Sequence, residues 1–351
     1  MTGLRENREN RHAEPARHPH RHHHPRRYHP AHSSGTGCAM ILQVLAVFFP
    51  AFALVAFGYL ARRWQIIPNG QWRGINLMNY RILLPAILFV VLARADLTGP
   101  GALVVTGISA LAIFAALALA LIAGRALRAS ARETAALVAV CCVWNVVLFL
   151  TLADRLYGGD AEVWTGMIVA PGLVLATITI VTAFAITRQG SAGRALPALV
   201  RDPVLIACLA GVAISLGSPY LPPLLPEAAI ETLLSPLELA GFGSLALVLL
   251  TVGAGLDFAA LKGRVKLLIS AALIRSVLIP LVVLAGAMAL GADTQATTLL
   301  VLATGGPSAA FVYAVAAEFD GEAGLVAGMI TLTVLASAVV LPVLTALTLM
   351  L

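Results

Sequence analysis

From Met40 onward the chain is a succession of apolar runs joined by short polar segments. The runs fall at about 41–61, 73–94, 101–124, 133–156, 162–187, 203–218, 232–256, 264–290, 298–319 and 323–350. A helix of about 20 apolar residues crosses the hydrocarbon core of a bilayer. No water is available there to satisfy backbone N–H and C=O groups, so an apolar run of this length must close its hydrogen bonds within itself, as a helix. Composition agrees: 60% of residues are hydrophobic, 11% are charged and the mean hydropathy is +0.92, against roughly 25% charged in a soluble domain. The expected fold is an all-α polytopic membrane protein with ten transmembrane helices.

The net charge of +6 is concentrated at one end. Residues 1–39 hold seven arginines, three glutamates and all eight histidines. Removing them from 23 basic and 17 acidic residues leaves 16 and 14, a net of +2, so no nucleic-acid or acidic partner is implied. This tail has too little apolar surface to fold and reads as disordered. Its histidines could bind metal weakly. Met40, directly before the first run, is the preferred start.

Loop charges set the orientation. The joints after the first, third, fifth and seventh spans carry Arg62, Arg63, Arg73, Arg125, Arg128, Arg132, Arg188, Arg194, Arg201, Lys262, Arg264 and Lys266. The joints after the second, fourth, sixth and eighth carry Arg94 and Arg155. Basic residues stay in the cytoplasm, which puts both termini outside and the 188–202 linker inside the cell membrane.

No histidine lies beyond residue 39, which removes His ligands and His bases from the membrane body. Cys141, Cys142 and Cys208 sit in apolar runs and read as small core residues; Cys38 completes the set without forming a disulfide or zinc pattern. An aspartyl hydrolase would need two facing intramembrane aspartates, but Asp96 and Asp257 fall at span ends. No Walker motif is present. No catalytic residue, cofactor or metal is expected, and the chain does not read as an enzyme.

The run at 298–319, TLLVLATGGPSAAFVYAVAAEF, is interrupted by Gly305, Gly306 and Pro307. Pro307 has no N–H, so the carbonyl of Ala303 loses its helical partner. At bilayer depth a freed carbonyl persists only where protein, water or ligand satisfies it. A helix broken near the midplane, with Ser308 beside the break, is the pattern of a transporter binding site, although a proline kink packed against neighbours would look similar.

The linker at 188–202 divides the chain into five-span halves, 40–187 and 203–351. An odd number of spans per half makes related halves inverted. Arg81 in the second span and Glu238 in the seventh are candidates for a structural ion pair between equivalent helices. Trp144-Asn145 in the fourth span is the counterpart of the break in the ninth. Arg275 lies about eleven residues into its span, near mid-depth, where an arginine is unfavourable by roughly 2.5–3.5 kcal/mol unless it meets protein or water. It is read either as a countercharge for an anion or as half of a structural pair.

Several stretches resemble the auxin efflux carrier family of membrane transporters, which includes plant auxin exporters and bacterial malate or malonate permeases. FFPAFALVAFGYLARR followed by INLMNYRILLPAILF is similar to the family's first two helices. TVGAGLDF resembles the Gly-Ala-Ser-Leu end of its seventh helix, and Arg275 before Pro280 resembles a basic residue upstream of proline. PSAAFVYAVAAEF is similar to its Pro-x5-aromatic-x4-Glu-aromatic pattern. The resemblance covers about 40–350.

It implies two inverted five-helix repeats. Helices 1, 2, 6 and 7 would form a scaffold, and helices 3–5 and 8–10 a transport unit in which broken helices 4 and 9 cross. The substrate anion would sit at the crossing, near the asparagine that Asn145 matches. The chain departs from the family here: the proline before that asparagine is Trp144, a Gly-x-Pro shortly after it is Leu150-Thr151-Leu152, and an asparagine of the ninth helix is Phe311. These departures argue for a fourth helix less broken than in relatives.

The expected function is secondary transport of small organic anions such as carboxylates by alternating access, with Asn145, Gly305, Gly306, Pro307, Ser308 and Arg275 at the substrate. The partners are the anion and the lipid bilayer, with a homodimer left open. The alternative is an ion-coupled symporter or exchanger of related crossed-helix fold, although no carboxylate lies at the middle of the fourth or ninth span.

Overall fold

The computed structural model describes residues 37–95, 97–99, 101–189, 197, 200–220, 226–262, 264–309, 311–318 and 321–351. The Arg/His-rich tail up to residue 36, Asp96 and most of the 188–202 linker lie outside them. Helices are α1 (Gly37–Arg63), α2 (Gln71–Met78), α3 (Leu84–Ala93), α4 (Ala102–Ala126), α5 (Ala131–Cys142), α6 (Val146–Tyr157) and α7 (Glu162–Gln189). They continue as α8 (Pro203–Gly217), α9 (Glu227–Ala254), α10 (Val265–Leu273), α11 (Ile279–Ala289), α12 (Thr294–Gly305), α13 (Phe311–Glu318) and α14 (Ala323–Met350). No strand occurs among the described residues. Eight helical segments among them are long and apolar enough to cross a membrane. The run expected at 203–218 forms the 15-residue α8, and the run at 298–319 forms the shorter pair α12 and α13.

Local chemistry starts these helices where the sequence changes. Ser130 and Glu133 make a reciprocal capping box at the head of α5: Glu133 N–H donates to Ser130 Oγ, and Ser130 N–H to Glu133 Oε2. Asp202 caps α8 by accepting from Leu205 N–H at 2.8 Å, and Asp293 caps α12 by accepting from Ala296 N–H at 2.7 Å. The cap at Asp293 starts α12 earlier than hydropathy alone indicates.

Two π-helical turns interrupt continuous spans. Asn79–Leu83 joins α2 to α3, and Ile274–Leu278 joins α10 to α11. Each precedes a proline, Pro85 or Pro280. A proline ring collides with the carbonyl four residues before it. Widening that turn relieves the collision: Leu84 N–H reaches Asn79 O, and Ile279 N–H reaches Ile274 O.

The helices pack as two groups. In one, α1 lies along α9, and α3 lies against α8 and α9. The α1–α9 contact is backbone to backbone: a Cβ on Gly58 would fall 2.1 Å from Leu250 O, and one on Gly253 would fall 1.8 Å from Val55 O. Small residues permit such approach where no hydrophobic force draws helices together in lipid. Arg62 fastens this pair by donating to Ala254 O at 2.6 Å. In the other group α4, α5 and α7 pack together, and α10, α11, α12 and α14 do likewise, with α11 meeting α4.

The Arg81–Glu238 pair is corrected by the structure. Glu238 accepts from Arg94, which also reaches Glu231 at 2.6 Å. Arg81 lies on the exposed side of the π turn. Arg94, 13 residues further along the same span, lies about 20 Å along the helix from Arg81, so equivalence of the two helices picked the right span but the wrong arginine.

Candidate functional site: the crossing of two broken helices

The fourth span is broken despite lacking the family's proline. α5 ends at Cys142, Val143 is extended (φ −103°, ψ 127°), and α6 starts after Asn145 (φ −78°, ψ 91°). Asn145 makes the break by capping α6: its Oδ1 accepts from Leu148 N–H at 3.0 Å. Trp144 holds it open. The indole is 2% exposed and rests on Gly172 of α7, where a Cβ would lie 1.9 Å from the ring. An asparagine cap and a wedged tryptophan replace the proline.

The ninth span breaks as its sequence predicts. α12 ends at Gly305, and Gly306 is extended (φ −61°, ψ 157°). Gly305 is closely packed: a Cβ would fall 2.8 Å from Leu341 Cδ1 and 3.2 Å from Pro280 Cγ, so the Leu341 side chain would have to shift. The Gly305 carbonyl accepts from Ser337 Oγ at 3.1 Å. Gly306 is not packed in this way: its dihedrals suit any residue, and a Cβ would make ordinary contact with Leu302 O and Ala303 O.

The two breaks meet and bond to each other. Asn145 N–H donates to Pro307 O at 2.9 Å. Ser308 is fully buried, and its N–H donates to Thr333 Oγ1 of α14 at 3.4 Å. Four buried polar atoms beside the crossing have no protein partner: Trp144 Nε1, Asn145 Nδ2, Arg275 Nε and Ser308 Oγ. A buried group left this way is costly, and such groups in native proteins call for an explanation.

Arg275 is 1% exposed and sits in the π turn before Pro280. Its Nη2 donates to Ala303 O at 3.3 Å, the carbonyl that Pro307 frees. Its guanidinium lies 5.8 Å from the Trp144 ring centroid, a cation–π contact. None of the ion pairs among the described residues involves it.

A cavity of about 30 Å³ lies on the other side of Trp144, between the crossing and the α1–α3/α8–α9 group. Asn76, Asn79, Tyr80, Trp144, Asn145 and Phe311 line it. Room for one water takes about 10–15 Å³, so the cavity has room for about two waters. Tyr80 bridges the two groups: its ring meets Phe311 at 5.2 Å, and its hydroxyl donates to Asp202 Oδ2 at 2.5 Å. Asn79 Oδ1 accepts from Ser244 Oγ at 2.8 Å.

The structure thus brings Asn145, Pro307 and Ser308 together and places Gly305 and Gly306 at the adjoining helix end. Arg275 belongs to the same cluster. Of these residues only Asn145 lines the cavity; Gly305, Gly306, Pro307, Ser308 and Arg275 do not. The sequence reading missed Asn76, Asn79 and Tyr80. The signal available for them was NLMNY, three polar residues inside an apolar span.

Helices that stop and cross inside an apolar bundle, with unpaired polar atoms at the break, define a class of multi-pass membrane transporters. The family described as membrane transport protein matches the chain twice, over residues 41–197 and 192–345. The chain belongs to the auxin efflux carrier family of membrane transport proteins. No curated protein matches it.

Proposed function

We propose that the protein is a secondary transporter of small organic anions, carboxylates among them, and not an enzyme. The observation that carries this reading is the Asn145–Pro307 bond at 2.9 Å, which joins two helix breaks beside unpaired donors. α6 and α13 both start at the crossing. Helix N-termini carry partial positive charge and attract anions. Asn145 Nδ2 and Ser308 Oγ are available to donate to a carboxylate, with Pro307 and the two glycines keeping the ninth helix open. Arg275 acts from behind Trp144, adding positive potential.

In this reading the ten apolar runs are ten spans in two inverted repeats, 40–187 and 203–351. The α1–α3/α8–α9 group is the scaffold, and the remaining helices move against it. The cavity between them opens alternately to each side of the cytoplasmic membrane, with both termini outside. The test is uptake of labelled mono- and dicarboxylates by proteoliposomes holding the purified protein. Saturable uptake of at least one, competed by others, is expected; equal rates in protein-free vesicles would contradict the reading.

A further inference from the structure

We propose that Arg275 is a tethered cation that occupies the crossing in place of a coupling metal cation, so that the carrier needs none. In transporters with discontinuous helices, freed carbonyls and half-helix C-termini are the groups that coordinate a coupling Na⁺. Here the freed carbonyl is that of Ala303, and Arg275 Nη2 already donates to it at 3.3 Å.

The surroundings fit a fixed cation. α5 and α12 both run into the crossing with their C-terminal ends, which carry partial negative charge. The π turn that holds Arg275 packs against both helices. The guanidinium lies near Cys141 and Cys142 at the end of α5, and the Trp144 face adds a further contact at 5.8 Å. No carboxylate pairs with it among the described residues, so helix ends and a ring offset its charge only in part. A guanidinium keeps that charge at any depth. The π turn is the local device: it shifts the side chain out of ideal helical register.

The consequence for transport rests on the carrier reading above; the cation site itself is tested separately, without substrate. The measurement is thermal unfolding of the detergent-purified protein, wild type, Arg275→Lys and Arg275→Ala. Wild type should melt at the same temperature in NaCl and in choline chloride of equal ionic strength. Arg275→Ala leaves Ala303 O without its donor and should melt lower by roughly 2–4 °C. Low-millimolar methylguanidinium should restore much of that loss in Arg275→Ala and leave wild type unmoved, while urea at the same concentration restores nothing. Arg275→Lys keeps the charge and should melt near wild type. Three results would overturn the proposal. They are a rise in wild-type melting on replacing choline with Na⁺, a methylguanidinium effect no larger in Arg275→Ala than in wild type, or an Arg275→Lys variant that fails to fold.

Discussion

Asn145 performs two jobs that can be separated by mutation. Its Oδ1 caps α6 through Leu148 N–H, which assigns the amide: the oxygen faces a donor, so Nδ2 is the atom left unpaired. Asn145→Ala removes both functions. Losing an N-cap and leaving Leu148 N–H buried without its acceptor should cost about 1–2 kcal/mol, lowering the melting temperature by roughly 1–3 °C. Asn145→Ser keeps an oxygen acceptor at the cap, so its stability should stay within about 0.5 kcal/mol of wild type. Its hydroxyl can still donate, but the side chain is shorter and its oxygen is held at the cap, so the O–H does not take the place of Nδ2. A hydrogen bond to a charged group contributes about 1.5–3 kcal/mol. At 1.4 kcal/mol per tenfold, substrate affinity should fall about 10- to 100-fold. Differential scanning fluorimetry reads the first quantity and concentration-dependent proteoliposome uptake the second. Asn145→Ser with wild-type affinity would refute the assignment of Nδ2 to the substrate. Asn145→Ala with wild-type melting would refute the cap as the cause of the break.

Other substitutions address neighbouring parts of the account. Pro307→Ala restores an N–H that can compete with Arg275 for Ala303 O, and transport should fall about tenfold or more with expression kept; wild-type uptake would make the proline a packing kink. Gly172→Val drives a branched side chain into Trp144 and should destabilise by about 1–3 kcal/mol, measured as a lower melting temperature. Arg94→Ala should cost about 1 kcal/mol or less, because its partners are partly exposed, and Arg81→Ala should leave melting unchanged. Lys262→Cys should react with impermeant maleimide only from the cytoplasmic side, as seen by comparing intact and opened cells.

The helical character of the chain was legible because apolar runs in lipid have few structural options. The ninth break was legible because proline removes a backbone donor, and Ala303 did need a substitute partner. The fourth break was harder to read. Trp144 and Leu152 in place of proline suggested continuity, whereas the break depends on a cap and on a void above Gly172, a residue remote in sequence. The partner of Glu238 was misread because equivalence of two spans does not say which of two arginines on the span, Arg81 or Arg94, lies at the depth of the glutamate. The role of Arg275 was only partly visible. Its place in the middle of an apolar run was plain, but its bond to Ala303 depends on how two distant spans pack.

The central claim is that the anion binds where the two breaks cross. The most direct measurement is a cryo-EM structure in lipid nanodiscs with the carboxylate that most raises the melting temperature. The account predicts density for its carboxylate group within hydrogen-bonding distance of Asn145 and Ser308, with the space between Tyr80 and Phe311 widened to admit the remainder. Density instead in the outer groove lined by Gly101, Trp164 and Asp293, with Asn145 Nδ2 and Ser308 Oγ still unpaired, would contradict it.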